Sequence, residues 1–175
     1  NNTTGCQNTA LGQNSMYTNT TGDFNTAVGR EALYSNETAD KNTAVGHCSL
    51  KANTTANQNT AVGACALLKN TTAPDNVAVG YNALCNNTTG CRNTALGRNA
   101  LLSNGTTHCN TAVGMNAMLY NNGSCNTAVG ASALETNSSS DNCNTAVGFR
   151  ALCSNQGNNN VAVGALALDK NAAAD

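Results

Sequence analysis

The stretch Asn59-Thr60-Ala61-Val62-Gly63-Ala64-Cys65-Ala66-Leu67-Leu68-Lys69-Asn70 is one of ten copies of a single unit. The copies open at Asn8, Asn25, Asn42, Asn59, Asn76, Asn93, Asn110, Asn126, Asn144 and Asn160, six steps of 17 residues followed by steps of 16, 18 and 16. Self-similarity at a fixed short period marks a stacked repeat rather than a globular fold. Four positions are the same in every copy: the opening Asn, the Ala two residues on, the Gly four residues on, and a second Asn eleven residues on (Asn19 through Asn171). Every copy must present the same surface to the copies above and below, so identity between copies is a structural constraint. All length changes fall in the polar connector after the second Asn, as expected of loops outside a stack. Residues 1–175 therefore read as a single repeat array, and the connector-like start makes a piece of a longer fibre the expectation.

Composition narrows the class. With 3% aromatic residues, no Trp, one Pro (Pro74) and 10% charged residues, the chain lacks the large side chains of an ordinary core. A net charge of -1 and a periodic apolar set argue against disorder. Lys and Arg are scattered without runs, which gives no footprint for nucleic acid or an anionic membrane. No segment reaches the roughly 20 apolar residues of a helical membrane span.

Within Asn-Thr-Ala-Val-Gly, alternation and β-branched residues predict a short strand. Its inward face is expected to carry Thr or Val at the first step and Val or Leu at the third, with the small Ala outward. Gly ends the strand where a sharp turn or close approach is needed. The next segment carries an adjacent apolar pair, as in Ala32-Leu33 and Ala83-Leu84. A helical turn would suit that pair, but packed helices want about 8–10 Å between axes, whereas stacked strands repeat at about 4.8 Å. Two short strands per rung is the preferred reading, with a short helix left as the alternative. The fold class is then all-β: a β-solenoid, or parallel β-roll, of about 17 residues per rung and ten rungs, on the order of 50 Å long from the strand spacing.

A second strand with Ala on one face and Leu on the other is apolar on both sides. A coil this small is expected to bury only one of them. The row Met16, Leu33, Leu50, Leu67, Leu84, Leu101, Met118, Leu134, Leu152 and Leu168 is then expected to face another chain. Burial of both Ala and Leu inside a lone coil is the alternative. The opening residues Asn8, Asn25, Asn42, Asn59, Asn76, Asn93, Asn110, Asn126, Asn144 and Asn160 are expected to form a ladder in which each amide bonds its counterpart in the next rung.

The run Asn-Thr-Ala-Val-Gly-x-x-Ala-Leu, with its variants Asn76-Val77-Ala78-Val79-Gly80 and Asn160-Val161-Ala162-Val163-Gly164, resembles the head repeats of trimeric autotransporter adhesins, and more closely the repeats of phage and viral tail fibres. The adhesin resemblance implies a left-handed parallel β-roll, three chains side by side, and adhesion to a host surface, where a glycan is one kind of ligand. The chain departs from the adhesin pattern by about three extra connector residues and by its nine cysteines.

Cysteine positions follow the rung register. Cys109, Cys125 and Cys143 directly precede an opening Asn, with Cys6 and Cys91 one place earlier; Cys48 and Cys65 share a slot, as do Cys85 and Cys153. Adjacent-rung Cα atoms near 4.8 Å lie within disulfide range. Candidate staples are Cys48 with Cys65, Cys91 with Cys109, and one pair among Cys109, Cys125 and Cys143; Cys85 with Cys91, or Cys143 with Cys153, are connector alternatives. Disulfides imply an oxidising, extracellular setting. With no Cys-x-x-Cys pair and only His47 and His108, neither a metal nor a cofactor site is expected. Sequons fall at Asn19, Asn36, Asn53, Asn70, Asn87, Asn104, Asn122 and Asn137 and offer N-glycosylation. Asn155 and Asn171 hold the same slot as most of these without a sequon, so that Asn has a structural reason of its own.

No catalytic set emerges from the sequence, because the two histidines lie in different rungs and the acids sit apart. A non-catalytic extracellular fibre or adhesive stalk, self-associating as a homotrimer or filament, is the leading expectation. An ice-binding or carbohydrate-binding solenoid is the alternative. Inward Thr at the strand's first step weakens the ice reading, although the connector threonines (Thr20-Thr21, Thr54-Thr55, Thr71-Thr72, Thr88-Thr89) offer a second outward array. Scarce aromatic residues weaken the carbohydrate reading.

Overall fold

The computed structural model describes residues 2–137 and 140–171. Each copy contributes one three-residue strand: β1 (Thr9–Leu11), β2 (Thr26–Val28), β3 (Thr43–Val45), β4 (Thr60–Val62), β5 (Val77–Val79), β6 (Thr94–Leu96), β7 (Thr111–Val113), β9 (Thr127–Val129), β11 (Thr145–Val147) and β13 (Val161–Val163). They form one ten-stranded sheet in chain order. Every pairing is parallel and places like on like, Ala27 opposite Ala44 and Val28 opposite Val45. The 16- and 18-residue rungs keep this register, with Ala112 opposite Ala128 and Ala128 opposite Ala146. The protein is an all-β solenoid, and no described residue is helical.

Strand polarity is the reverse of the sequence expectation. Ala27, Ala44, Ala61, Ala78, Ala95, Ala112, Ala128 and Ala146 are fully buried, while Thr and Val at the flanking steps are partly or largely exposed. Alternation was read correctly and its inner face wrongly. The opening Asn shares the inner face with Ala, so a buried polar column runs beside the Ala column inside, and Thr and Val face outward.

The adjacent Ala-Leu pair also resolves differently. It forms no strand, and Leu does not face another chain. Leu33, Leu50, Leu67, Leu84, Leu101, Met118, Leu134 and Leu152 are fully buried in the lone coil, together with Ala32, Ala66, Ala83, Ala100, Ala117, Ala133 and Ala151. Leu168, in the last rung, is half exposed. Two neighbours point inward because the chain turns a corner there. Ala83 N–H donates to Gly80 O (3.3 Å) and Asn87 N–H to Leu84 O (3.0 Å), closing two successive turns. Asn82 and Leu84 both have positive φ, 56° and 52°. Positive φ at the third residue of the first turn is the requirement of a type II turn. At Leu84 it cancels the side-to-side alternation, so Ala83 and Leu84 face the same interior. Left-handed backbone costs a non-glycine residue about 1–2 kcal/mol, and burying a Leu side chain returns about 1.5–3 kcal/mol. Burial offsets the strain at every corner.

Among the described residues, second strands occur in the last four rungs: β8 (Tyr120–Asn121), β10 (Thr136–Asn137), β12 (Ser154–Asn155) and β14 (Lys170–Asn171), which form a four-stranded parallel sheet. They surround the second Asn rather than the Ala-Leu pair. In earlier rungs a cross-rung bond persists at the same slot, as from Ser35 N–H to Lys51 O (3.0 Å), but the next amide turns back, Asn36 N–H to Leu33 O (3.2 Å). The ladder stops there after one bond.

Both invariant Asn series hold the stack, by different means. The second series forms the amide-to-amide ladder: Asn36 Nδ2 donates to Asn19 Oδ1 (2.8 Å), Asn53 to Asn36 (3.1 Å), Asn70 to Asn53 (3.2 Å) and Asn87 to Asn70 (2.9 Å). The opening series, expected to do this, bonds backbone instead. Asn42 N–H donates to Asn25 Oδ1 (2.9 Å) and Asn59 N–H to Asn42 Oδ1 (2.9 Å). Asn25 Nδ2 donates to the connector carbonyl of Ala39 (2.7 Å), and so does Asn36 Nδ2 (3.1 Å). One carbonyl thus serves both series. The arrangement survives the first two length changes, where Asn110 and Asn121 share Gly123 O (2.9 and 2.7 Å) and Asn126 and Asn137 share Asp141 O (2.9 Å each). In the ninth rung Asn155 Nδ2 alone takes Gly157 O (2.8 Å), and Asn144 Nδ2 is left buried without a partner among the described residues. Buried polar groups are tolerated when they are paired, and identical neighbours supply the partners here.

Candidate functional site

Outward Thr and Val side chains make the most regular surface of the protein. One column runs Thr26, Thr43, Thr60, Val77, Thr94, Thr111, Thr127 and Thr145, and the parallel one runs Val28, Val45, Val62, Val79, Leu96, Val113, Val129 and Val147. Val62, Val79, Leu96, Val129 and Val147 are each 36–39% exposed. No charged residue occupies either column. The slot after each Gly carries Tyr81, Met115 and Phe149, all about half exposed, and also the exposed Arg30, His47 and Arg98. On the connector side Thr21, Thr55, Thr72 and Thr89 are exposed, whereas Thr54 and Thr71 turn their hydroxyls to the next rung, donating to Thr71 O (3.2 Å) and Thr88 O (3.3 Å).

Along the rung edges like side chains stack. Tyr17 and Tyr34 lie face to face, centroids 5.2 Å apart and planes within 9°. Lys51 Nζ sits 5.8 Å from the Tyr34 centroid and 2.7 Å from Glu31 Oε2. Hydrogen bonding from Lys51, then from the Cys48 thiol, holds the Glu31 carboxyl down to about 2. Cys48 Sγ lies 3.5 Å from Glu31 Oε2 and 3.3 Å from His47 Nε2. Glu31 and Cys48 share a slot in consecutive rungs, but the sequence does not give the side-chain directions that bring them together. Burial and then the Glu31 carboxylate push the Cys48 thiol up. That is the opposite of the lowered pKa a nucleophilic thiol requires, so the cluster reads as structural.

All nine cysteines are free thiols. Cys48, Cys85 and Cys153 are buried, Cys65 and Cys91 half-buried, and Cys6, Cys109, Cys125 and Cys143 exposed. Burial raises the Cys85 and Cys153 thiols. These two share a slot but stand four rungs apart, too far to pair with each other. Cys48 and Cys65 occupy one slot in consecutive rungs, and Cys109 N–H donates to Cys91 O (3.1 Å). Cys91 faces His108, whose Nδ1 lies 3.3 Å from its Sγ and accepts its backbone N–H (3.0 Å). Among the described residues no three of His, Cys, Asp and Glu converge as a metal ion requires.

Glycosylation at the ladder slot is incompatible with the folded rung. Asn19, Asn36, Asn53, Asn70, Asn87, Asn104 and Asn137 are at most 2% exposed. Their Nδ2 atoms, where a glycan would attach, donate inside the coil. Asn122 alone among the eight is exposed. Expression through a eukaryotic secretory pathway should therefore give folded protein with glycan at Asn122 and none at the seven ladder positions. Glycopeptide mass spectrometry showing occupied Asn70 in folded rods would contradict this.

Comparison with protein-family models, with curated proteins and with solved structures finds no match to this chain.

Proposed function

We propose that the chain is a non-catalytic rod, a segment of an extracellular fibre or adhesive stalk, whose outward Thr and Val face seats against the same face of neighbouring copies as a homotrimer or filament. The observation that carries the reading is the uncharged, partly exposed aliphatic column that continues from rung to rung. Contiguous apolar surface of this extent marks an association face. With the Leu row buried, the outward sheet face rather than the corner is the surface that supports this reading. Sedimentation equilibrium is expected to show an oligomer. Replacing Val62, Val79 and Leu96 together by Lys should release monomers with an unchanged circular dichroism spectrum. A wild-type chain that stays monomeric at high concentration would remove the basis for the proposal.

The outward Thr column supports a second reading. Hydroxyls and methyl groups repeating at the rung spacing of about 4.8 Å form an array suited to a regular solid such as ice, and the objection that Thr points inward no longer holds. Thermal hysteresis from monomeric protein, abolished by the same Lys substitutions, would favour this reading. Oligomers without hysteresis would favour the fibre.

A further inference from the structure

Three consecutive rungs place a cysteine in one slot, and packing does not explain why. In the residue before the opening Asn, other rungs carry Gln7, Phe24, Lys41, Gln58, Asp75, Arg92 and Asn159, so the slot accepts almost any side chain. Rungs seven, eight and nine carry Cys109, Cys125 and Cys143, all exposed. Their backbones share one conformation, with φ of 58°, 60° and 60°. Each is pinned to the preceding rung: Cys109 N–H to Cys91 O (3.1 Å), Cys125 N–H to His108 O (3.0 Å), and Cys143 N–H to Ser124 O (3.2 Å). The adjoining Asn residues lock the same register, with Asn126 N–H on Asn110 Oδ1 (2.9 Å) and Asn144 N–H on Asn126 Oδ1 (2.8 Å). Cα atoms one rung apart therefore sit near 4.8 Å, inside the range of about 4.4–6.8 Å that a disulfide bridges. Two rungs apart they do not.

We infer that Cys109, Cys125 and Cys143 form a redox modification site in which Cys125 makes one rung-to-rung disulfide with either neighbour and leaves the other as an exposed thiol. The oxidant is a low-molecular-weight disulfide. Cys109 or Cys143 thiolate attacks one sulfur of that reagent, forming a mixed disulfide and releasing one small thiolate. Burial raises the Cys125 thiol, so it acts second: held one rung away at high effective concentration, Cys125 thiolate attacks the modified Cys109 or Cys143 Sγ and releases the second small thiolate. Two protein thiols lose two protons and two electrons, and the reagent is reduced to two small thiols. Cys125 is obligatory because Cys109 and Cys143 cannot reach each other. The inference is independent of the association face proposed above.

Oxidised glutathione supplied to the reduced full chain, followed by alkylation and cleavage, tests it. Cyanogen bromide at Met115 and Met118 separates Cys109 from Cys125, and glutamyl endopeptidase at Glu135 separates Cys125 from Cys143. Linked peptides joining Cys125 to Cys109 and Cys125 to Cys143 are expected, with one alkylated thiol of the three per chain. C125S should lose both linked species while keeping its circular dichroism spectrum, and C109S and C143S should each keep one. Three glutathionylated cysteines without an internal link would overturn the inference. So would a Cys91–Cys109 link with Cys125 left as a free thiol, or a Cys109–Cys143 link in C125S.

Discussion

Gly80→Ala should break the rod, whereas Gly105→Ala should cost it much less. A Cβ on Gly80 would lie 2.6 Å from Gly97 O and 2.7 Å from Gly97 C in the next rung. Those are backbone atoms, held by the strands on either side, and cannot swing away. Gly80 also has φ +134°, a region closed to L side chains. Strain of about 1–3 kcal/mol adds to overpacking of about 1–3 kcal/mol, so a loss of roughly 2–6 kcal/mol is expected. Stability in a stacked array is a sum over neighbouring interfaces, and the damage should concentrate between the fifth and sixth rungs. Urea denaturation followed by circular dichroism should lose its single transition. Gly105 has φ +57° and open space around it, so Ala there carries only the left-handed cost of about 1–2 kcal/mol. Equal midpoints for the two variants would show that the rungs do not meet at Gly80.

Asn70→Asp should destabilise the chain in a pH-dependent way. Asn70 Nδ2 donates to Asn53 Oδ1 (3.2 Å) and Ala73 O (3.0 Å), and Oδ1 accepts from Asn87 Nδ2 (2.9 Å). A carboxylate keeps the acceptor but turns its second oxygen on two other acceptors, in a site with no solvent exposure. An uncompensated buried charge costs on the order of 3–5 kcal/mol. Burial and facing acceptors favour the protonated acid, which regains one donor, so the folded-state pKa lies above the unfolded value of about 3.9. The folded state then binds the proton more tightly. Destabilisation is smallest below the unfolded pKa and grows as pH rises towards the folded one. Urea midpoints relative to wild type at pH 4 and pH 7 measure it, and a variant matching wild type at pH 7 would show that the ladder is not closed to water.

Period, rung boundaries, the place of the first strand in each rung and connector indels were legible in the sequence, because each depends on counting; the second strand, expected at the Ala-Leu pair, was misplaced. The inner face was not. The rule that apolar side chains point inward assigned Thr and Val to the core, yet the four invariant positions (opening Asn, Ala, Gly and second Asn) are the ones that meet the next rung. Invariance among the copies was the better signal. The corner was also partly legible: Asn14, Asn82, Asn99 and Asn116 hold the third place of the first turn with φ of 56–57°, and Asn accepts that conformation more readily than most residues. Nothing comparable marks Leu84, which has no preference for left-handed backbone and adopts it only because the interior rewards its burial. The thiol column could be read from slot arithmetic, whereas the meeting of Glu31, His47 and Cys48 needed side-chain directions that arithmetic does not supply.

By itself, then, the sequence determined that identical rungs stack in register, and which residues recur at each contact. Only the tertiary structure decided which side of the rung is inside. An Asn side chain is costly to bury alone and stable when the rungs above and below offer the matching donor and acceptor. Its place inside is therefore a property of the stack, and no single copy of the repeat could reveal it.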